Sequence, residues 1–491
     1  MRRSRELLVL SGILLIATLL RLHRLGDELW LDEIITHVRV ARLGWCEILT
    51  SYESQNQHLL YSLLARLVIV TLGDTAAALR VPAAAFGVLS IAALYVLGRE
   101  LLSRREALLA AALLSVSHMH VWFSQNARGY SALLFFTLLS SWLLLRALAD
   151  DRRRAWLGYG VVVALGLGVH LTMLFVVAGH AIVVLRRRVP ALPGTTWRTR
   201  LSGPVLGLAT AALLALLVYA PIVPQILAVT AVEGRGGQVP AWSSSGWAIG
   251  EIVRTLRDSF AQPPLALYAV ALGAVGAWSL VRRQPVLLEL LVLPVALGLV
   301  VVLGSGHHVW PRLFFFAIGF AALVVVAGAV ALVEGARRLV THEQTRATHA
   351  GTVLAAILIV AAAIALPAAY GPKQRHAEAL ALLDEAIRPG DVVVTVGPST
   401  YVFQTYYGRD WSRVDTAATL AAARRGARRT WLVHGFPLHL RQRRPDVARM
   451  LDDDFELAAR FTGTLRGGDV LVWASAAPAG DSSATFPQPP D

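Results

Sequence analysis

At 491 residues, 56% of them hydrophobic and only 16% charged, the chain falls well short of the roughly 25% charge of a soluble domain, and length alone does not close that gap because burial grows slowly with size. A formal charge of +14 invites a nucleic-acid reading, but the arginines stand in short clusters between apolar runs, where membrane topology places them, so nucleic acid is excluded as a partner. The single cysteine, Cys46, excludes an intramolecular disulfide and a paired-cysteine metal site.

The chain opens with Arg2, Arg3 and Arg5 ahead of an apolar run at 7–20. No small-residue cleavage site follows, and Arg21, His23 and Arg24 come next, so the run reads as a retained first helix and not a secretion signal. Further apolar runs at 205–220, 286–303, 314–332 and 351–369 carry no charge except Glu289. A membrane-crossing helix needs about 20 apolar residues. The expected spans are 7–22, 81–98, 106–122, 131–148, 155–169, 170–185, 202–220, 265–281, 285–303, 312–333 and 350–370, eleven in all.

Six basic clusters set the orientation: Arg2/Arg3/Arg5, Arg99/Arg104/Arg105, Arg152–Arg154, Arg186–Arg188 with Arg198 and Arg200, Arg282/Arg283, and Arg337/Arg338/Arg346. All fall on the cytoplasmic side, as basic loops tend to, provided that 59–72 does not cross. That run is about 14 residues long and interrupted by Arg66, which suits an interfacial or re-entrant segment. The N-terminus is then cytoplasmic. The segments 22–80, 124–130, 221–264 and 304–311, and everything after 370, lie outside.

Those outer segments hold most of the unusual polar residues. In GDELWLDEIITHVRV, Asp32 and Glu33 follow Trp30 and Leu31. Adjacent carboxylates point in different directions on a helix or strand, so separate roles are expected. A carboxylate at the membrane surface suits a general base; the plainer alternative is a helix N-terminus, where acids favour the dipole. ESQNQHLLY at 53–61 brings His58, readable as a metal ligand, a phosphate contact or a cap. Arg128, within HMHVWFSQNARGYSALL at 118–134, stands at an outer mouth against the positive-inside bias, which marks a functional candidate. Its planar fork matches phosphate oxygens; the alternative is headgroup snorkelling. In GSGHHVWPRLFFF at 304–316, His307, His308 and Arg312 lie at another outer mouth, with Arg312 as a second phosphate contact or an anchor beside Trp310.

After 370 the pattern alternates: helix 376–387, strand 391–396 (DVVVTV), helix 415–428, and strands at 430–433 and 469–473. This reads as a small α/β domain. The tail from 476 is Pro/Ser-rich and expected to be disordered. The domains expected are 1–370, membrane-embedded with a first outer loop at 23–80; 371–475, extracytoplasmic; and 476–491, the tail.

Four pieces in order, LWLDE at 29–33, NQHLLYSLL at 56–64, LGDTAAALRVPAAAFGVLS at 72–90 and SQNARGYSALL at 124–134, resemble the GT-C membrane glycosyltransferases of the protein-mannosyltransferase and lipid A aminoarabinose-transferase type. HHVWPRLFF is a later, looser match. The resemblance implies a polytopic α-helical GT-C fold of about eleven spans in the cell membrane. It implies a polyprenyl-phosphate sugar donor, used outside the cytoplasm with inversion, and a hydroxyl acceptor on a glycan, lipid or protein. Asp32 is then the base, supported by Glu33. His58, Gln125, Arg128, Tyr130, His308 and Arg312 contact substrate. No cofactor is required; a divalent metal at Glu33 and His58 is optional, because Leu59 and Leu60 stand where prolines often follow the His, and Asn56 and Gln57 where some members carry an acid. A transporter or flippase of lipid-linked glycans is the alternative, and would favour mid-membrane charges and internal repeats.

Overall fold

A computed structural model describes residues 2–188, 196–236, 244–340 and 345–476; the Pro/Ser-rich tail beyond 476 lies outside the described residues. The chain divides into two compact units. One comprises Met1–Leu25 and Gly44–Tyr370, the other Gly26–Leu43 and Gly371–Asp491.

The first unit is all helix. Among the described residues, seven helices are long and apolar enough to cross a bilayer: Ala76–Leu101, Tyr130–Asp150, Arg200–Tyr219, Pro263–Arg283, Pro285–Gly304, Pro311–Ala336 and Ala350–Tyr370. They make this a multi-pass membrane protein. The other four expected spans are also helical, but shorter, broken or more charged. Residues 7–22 lie in Arg2–Leu22, which carries Arg5, Glu6 and Arg21. Residues 155–169 and 170–185 form the separate helices Arg153–Val169 and Met173–Arg188, of 17 and 16 residues.

The run 106–122, expected as one straight span, is broken into Arg104–Ser115 and His118–Ser124, bent by 61°. The cause is local. Ser115 Oγ turns back onto the Ala112 carbonyl at 2.7 Å, competing with the helix ladder. The Ser115 carbonyl that the break releases accepts Arg21 Nη1 at 3.1 Å. Arg21 is fully buried, and its Nη2 reaches His120 Nδ1 at 2.6 Å. A carbonyl without a partner in hydrocarbon costs several kcal/mol, so Arg21 makes the break tenable. Counting the bent pair as one span gives eight. Leu59–Leu72 is a separate 14-residue helix, shorter than a span.

Two acids of this unit are paired with arginines. Glu289, the one acid in the run 286–303, meets Arg186 at 2.8 Å. Glu6 meets Arg99 at 2.9 Å and Arg104 at 3.2 Å.

A close helix crossing joins Pro263–Arg283 to Ile318–Val340. A Cβ built on Gly328 would lie 1.8 Å from the Leu272 carbonyl oxygen, and one on Gly276 would lie 2.0 Å from that of Val324. Lipid offers no hydrophobic drive for helix association, so close backbone approach through small residues carries the packing. Gly328→Leu therefore separates these helices. A loss of about 3 kcal/mol, the upper range for overpacking, is expected as a lowered melting midpoint of the detergent-solubilised protein; a melting point equal to the parent's would refute the crossing.

The second unit is built on a five-stranded sheet: β1 (Val392–Thr395), β2 (Ser412–Arg413), β3 (Thr430–Gly435), β4 (Phe455–Phe461) and β5 (Val470–Ser475), in the order β2-β1-β3-β5-β4. β1 runs parallel to β2 and β3, while β3–β5 and β5–β4 are antiparallel. Val393, Trp431, Val433, Val470 and Val472 face helix His376–Ala386 through Ala379, Leu382 and Leu383. Val394, Leu432 and Phe455 face the other side, against Leu420, Leu440, Val447 and Leu451. Burial on both faces explains why DVVVTV is a continuous apolar run. The expected helix 415–428 is shorter, Ala417–Arg424, capped by Thr416 Oγ1 on the Thr419 N–H.

Candidate active site

In the first unit, four separate stretches supply one cluster. Asn56 and His58 end the loop before Leu59–Leu72. Arg128 sits in the short turn 125–129 between the broken helix and Tyr130–Asp150. His170 occupies the extended turn after Arg153–Val169, with φ −165° and ψ 128°. Arg312 lies at the start of the 3-10 turn Pro311–Ala317, just after Pro311.

Arg128 is buried. Its Nε donates to His58 Nε2 at 3.1 Å and its Nη1 to Asn56 Oδ1 at 2.8 Å. The guanidinium carbon lies 5.5 Å from the centre of the Tyr130 ring. The His58 ring stacks on His170, with centroids 4.8 Å apart, and Tyr130 lies 5.0 Å from His170. Gly129 makes this possible: a Cβ there would meet the Val169 carbonyl oxygen at 2.2 Å and His58 Cγ at 3.4 Å.

Accepting from Arg128 fixes His58 as the tautomer protonated on Nδ1, which faces the Val169 carbonyl. His170 Nδ1 lies within hydrogen-bond reach of the Thr172 N–H and, at 2.8 Å, of its hydroxyl. Burial, then the positive charge of Arg128, holds His58 well below the ordinary imidazole range, with His170 and Arg312 adding to the effect. His170 is pushed down to about 3 by burial, then Arg128 and Arg312. Both rings are neutral at physiological pH.

The remaining expected residues of this unit are placed differently. The Gln125 amide donates to the backbone carbonyls of Arg21 at 3.1 Å and His23 at 2.5 Å, which fixes the turn that leads to Arg128. His308 is half-buried, with its ring 6.0 Å from Trp310. Arg312 lies over the same Trp310 at 4.7 Å.

Asp32 and Glu33 belong to the second unit, in the first turn of the six-residue helix Leu31–Thr36. Glu33 is fully buried, and its Oε2 takes the Trp30 N–H in a long contact of 3.5 Å. Asp32 is half-buried, and its backbone carbonyl accepts the Thr36 hydroxyl at 2.9 Å. In the same unit the Glu28 carboxyl is raised to about 7 by burial, against the lowering effect of the Ala377 N–H and the Tyr407 hydroxyl.

Among the described residues no group of three or more His, Cys, Asp and Glu side chains is gathered that would hold a metal ion. His58 already commits its Nε2 lone pair to Arg128. These residues do not fit the optional metal at Glu33 and His58.

His170 is the participant that sequence reasoning passed over. A lone histidine in a tight turn between two apolar runs was its only signal.

The sequence profile of the dolichyl-phosphate-mannose-protein mannosyltransferases matches residues 56–225, a stretch that contains His58, Arg128, Tyr130 and His170. Among solved structures, apo ArnT from Cupriavidus metallidurans is similar over 97% of this chain and 99% of its own, with a TM-score of 0.52 and 12% identity. This chain has the GT-C fold of membrane glycosyltransferases. Two structures of the Archaeoglobus fulgidus oligosaccharyltransferase share it. One, complexed with Zn and sulfate, is 13% identical with a TM-score of 0.52, over 93% of this chain and 72% of that one. The other, complexed with an inhibitory peptide and a dolichol-phosphate, is 11% identical with a TM-score of 0.53, over 94% and 74%. No curated protein matches by sequence.

Proposed function

We propose that this GT-C protein transfers a sugar from a polyprenyl-phosphate carrier to a hydroxyl acceptor on the extracytoplasmic face, inverting the anomeric carbon. The observation that carries the reading is the buried Arg128, acting with Arg312 on the same pair of neutral histidines. A lipid-phosphate sugar presents an anionic diester at the membrane. As the bond from the anomeric carbon to the phosphate oxygen breaks, that oxygen takes the electron pair and a second negative charge develops. Preorganised cations in a water-poor site stabilise charge of this kind. The acceptor oxygen bonds to the anomeric carbon from the opposite face, and its proton passes to Asp32. Glu33 steadies the Asp32 turn through Trp30. Support also comes from the mannosyltransferase profile, and from the dolichol-phosphate bound in one oligosaccharyltransferase structure. In this reading the N-terminus is cytoplasmic and the sheet-containing unit is outside.

The test uses purified full-length protein, a panel of radiolabelled polyprenyl-phosphate sugars and a membrane extract as acceptor. The expected result is label moved from one donor into the extract, release of polyprenyl phosphate, and a product of inverted anomeric configuration. Transbilayer movement of lipid-linked sugar in vesicles, without any transfer, would replace this reading with a transporter.

A further inference from the structure

The helix that carries Asp32 does not hold itself in place. It has six residues, far below the length at which a helix is stable alone. Its first N–H groups have no partner within the helix. Ser, Thr, Asp or Asn at the N-cap would ordinarily accept one of them, but Trp30 occupies the N-cap, and an indole offers no acceptor. The acceptor comes instead from 343 residues further on: the Leu31 N–H donates to Gln374 Oε1 at 3.1 Å. Gln374 is 1% exposed and is itself fixed, its Nε2 donating to the Gly468 carbonyl at 2.8 Å.

Four more contacts join the same two stretches of the second unit. Glu28 Oε1 accepts the Ala377 N–H at 2.6 Å and the Tyr407 hydroxyl at 3.1 Å. The Arg39 guanidinium lies 4.7 Å from the centre of the Tyr401 ring. The His37 and Tyr406 rings stand edge to face, 6.0 Å apart. Each contact pairs a residue of Gly26–Leu43 with one of Gly371–Asp491.

We infer that the sheet-containing region is a positioning device for the Asp32 helix, with Gln374 and the Glu28–Tyr407 pair as its positioning residues. The inference rests on Asp32 acting as the base. A carboxylate displaced by about 1 Å loses roughly a hundredfold in rate, so a clasp on the residue preceding Asp32 acts directly on the chemistry.

Gln374→Leu and Tyr407→Phe, each in the full-length protein, test it by two readouts. Hydrogen exchange of the amides at 29–36 is expected to quicken about tenfold, the effect of losing one buried hydrogen bond, while the membrane-spanning helices exchange as in the parent. Transfer of the sugar found active in the donor panel is expected to lose kcat with KM for the donor unchanged. A merely structural defect would instead quicken exchange throughout the second unit. Should Gln374→Leu fail to fold, Tyr407→Phe carries the test. Unchanged exchange at 29–36 in the folded variants overturns the clasp; quickened exchange with unchanged kcat overturns its catalytic purpose. If Asp32→Asn keeps full activity, the base assignment fails, while the exchange result still decides whether the clasp exists.

Discussion

Asp32→Asn in the purified full-length protein leaves the fold intact and lowers sugar transfer by about 10²–10⁴-fold, the usual contribution of a positioned proton acceptor. The substitution keeps the shape of the side chain and removes only its capacity to take a proton. Its structural cost is small for two reasons. The Asp32 backbone carbonyl accepts the Thr36 hydroxyl, a bond that survives the change. The carboxylate also sits in the first turn of a helix, where its charge is worth only about 0.3–1 kcal/mol. A 10²–10⁴-fold loss corresponds to roughly 2.7–5.4 kcal/mol of activation energy. Rate and melting point therefore separate the two effects. Transfer at the parent's rate would make Asp32 a helix-terminus acid and move the search for a base to Glu33. That residue is the weaker candidate, being fully buried and turned onto the Trp30 N–H.

The membrane-embedded part of the fold was legible because bilayer thickness imposes a length rule that composition obeys. The runs around 286–303 and 351–369 needed no tertiary information. The bend after Ser115 was hidden because it depends on Arg21, nearly a hundred residues earlier, taking up a freed carbonyl. In the second unit, DVVVTV announced β1 through its β-branched run, whereas β4, with the sequence FELAARF, is composed largely of helix formers. It becomes a strand by pairing with β5 across an irregularity between Leu457 and Ala459. At the candidate site, Arg128 stood out as a cation against the topological bias. His170 carried no pattern at all, and Gln374 none either, since a side chain that caps a helix 343 residues away leaves no trace in local spacing. The turn at 29–36 read as an outer loop of the membrane part, yet Gly26–Leu43 belongs to the same compact unit as the sheet. Long-range pairing of this kind is decided by tertiary context, which overrides local propensity.

Arg128→Gln is expected to lower kcat/KM by about 10²–10³-fold, the range seen when one charge-stabilising donor is removed. Most of the loss should fall on kcat, because the second negative charge exists only as the bond to the phosphate oxygen breaks; a pure rise in KM would instead mark ground-state binding. Arg128→Lys should lie between parent and Gln. It restores the charge but not the planar fork that reaches His58 and Asn56 together. The Gln variant does not confound the test by charging His58. Burial is the larger cause of that ring's depressed basicity, and Arg128 only the second, so the imidazole remains neutral. The contrast among the three side chains distinguishes a catalytic cation from a headgroup anchor. An anchor needs positive charge near the surface, so Lys would serve it as well as Arg, and transfer would depend on neither. Equal rates in all three proteins would remove Arg128 from the reaction and leave Arg312 to hold the phosphate.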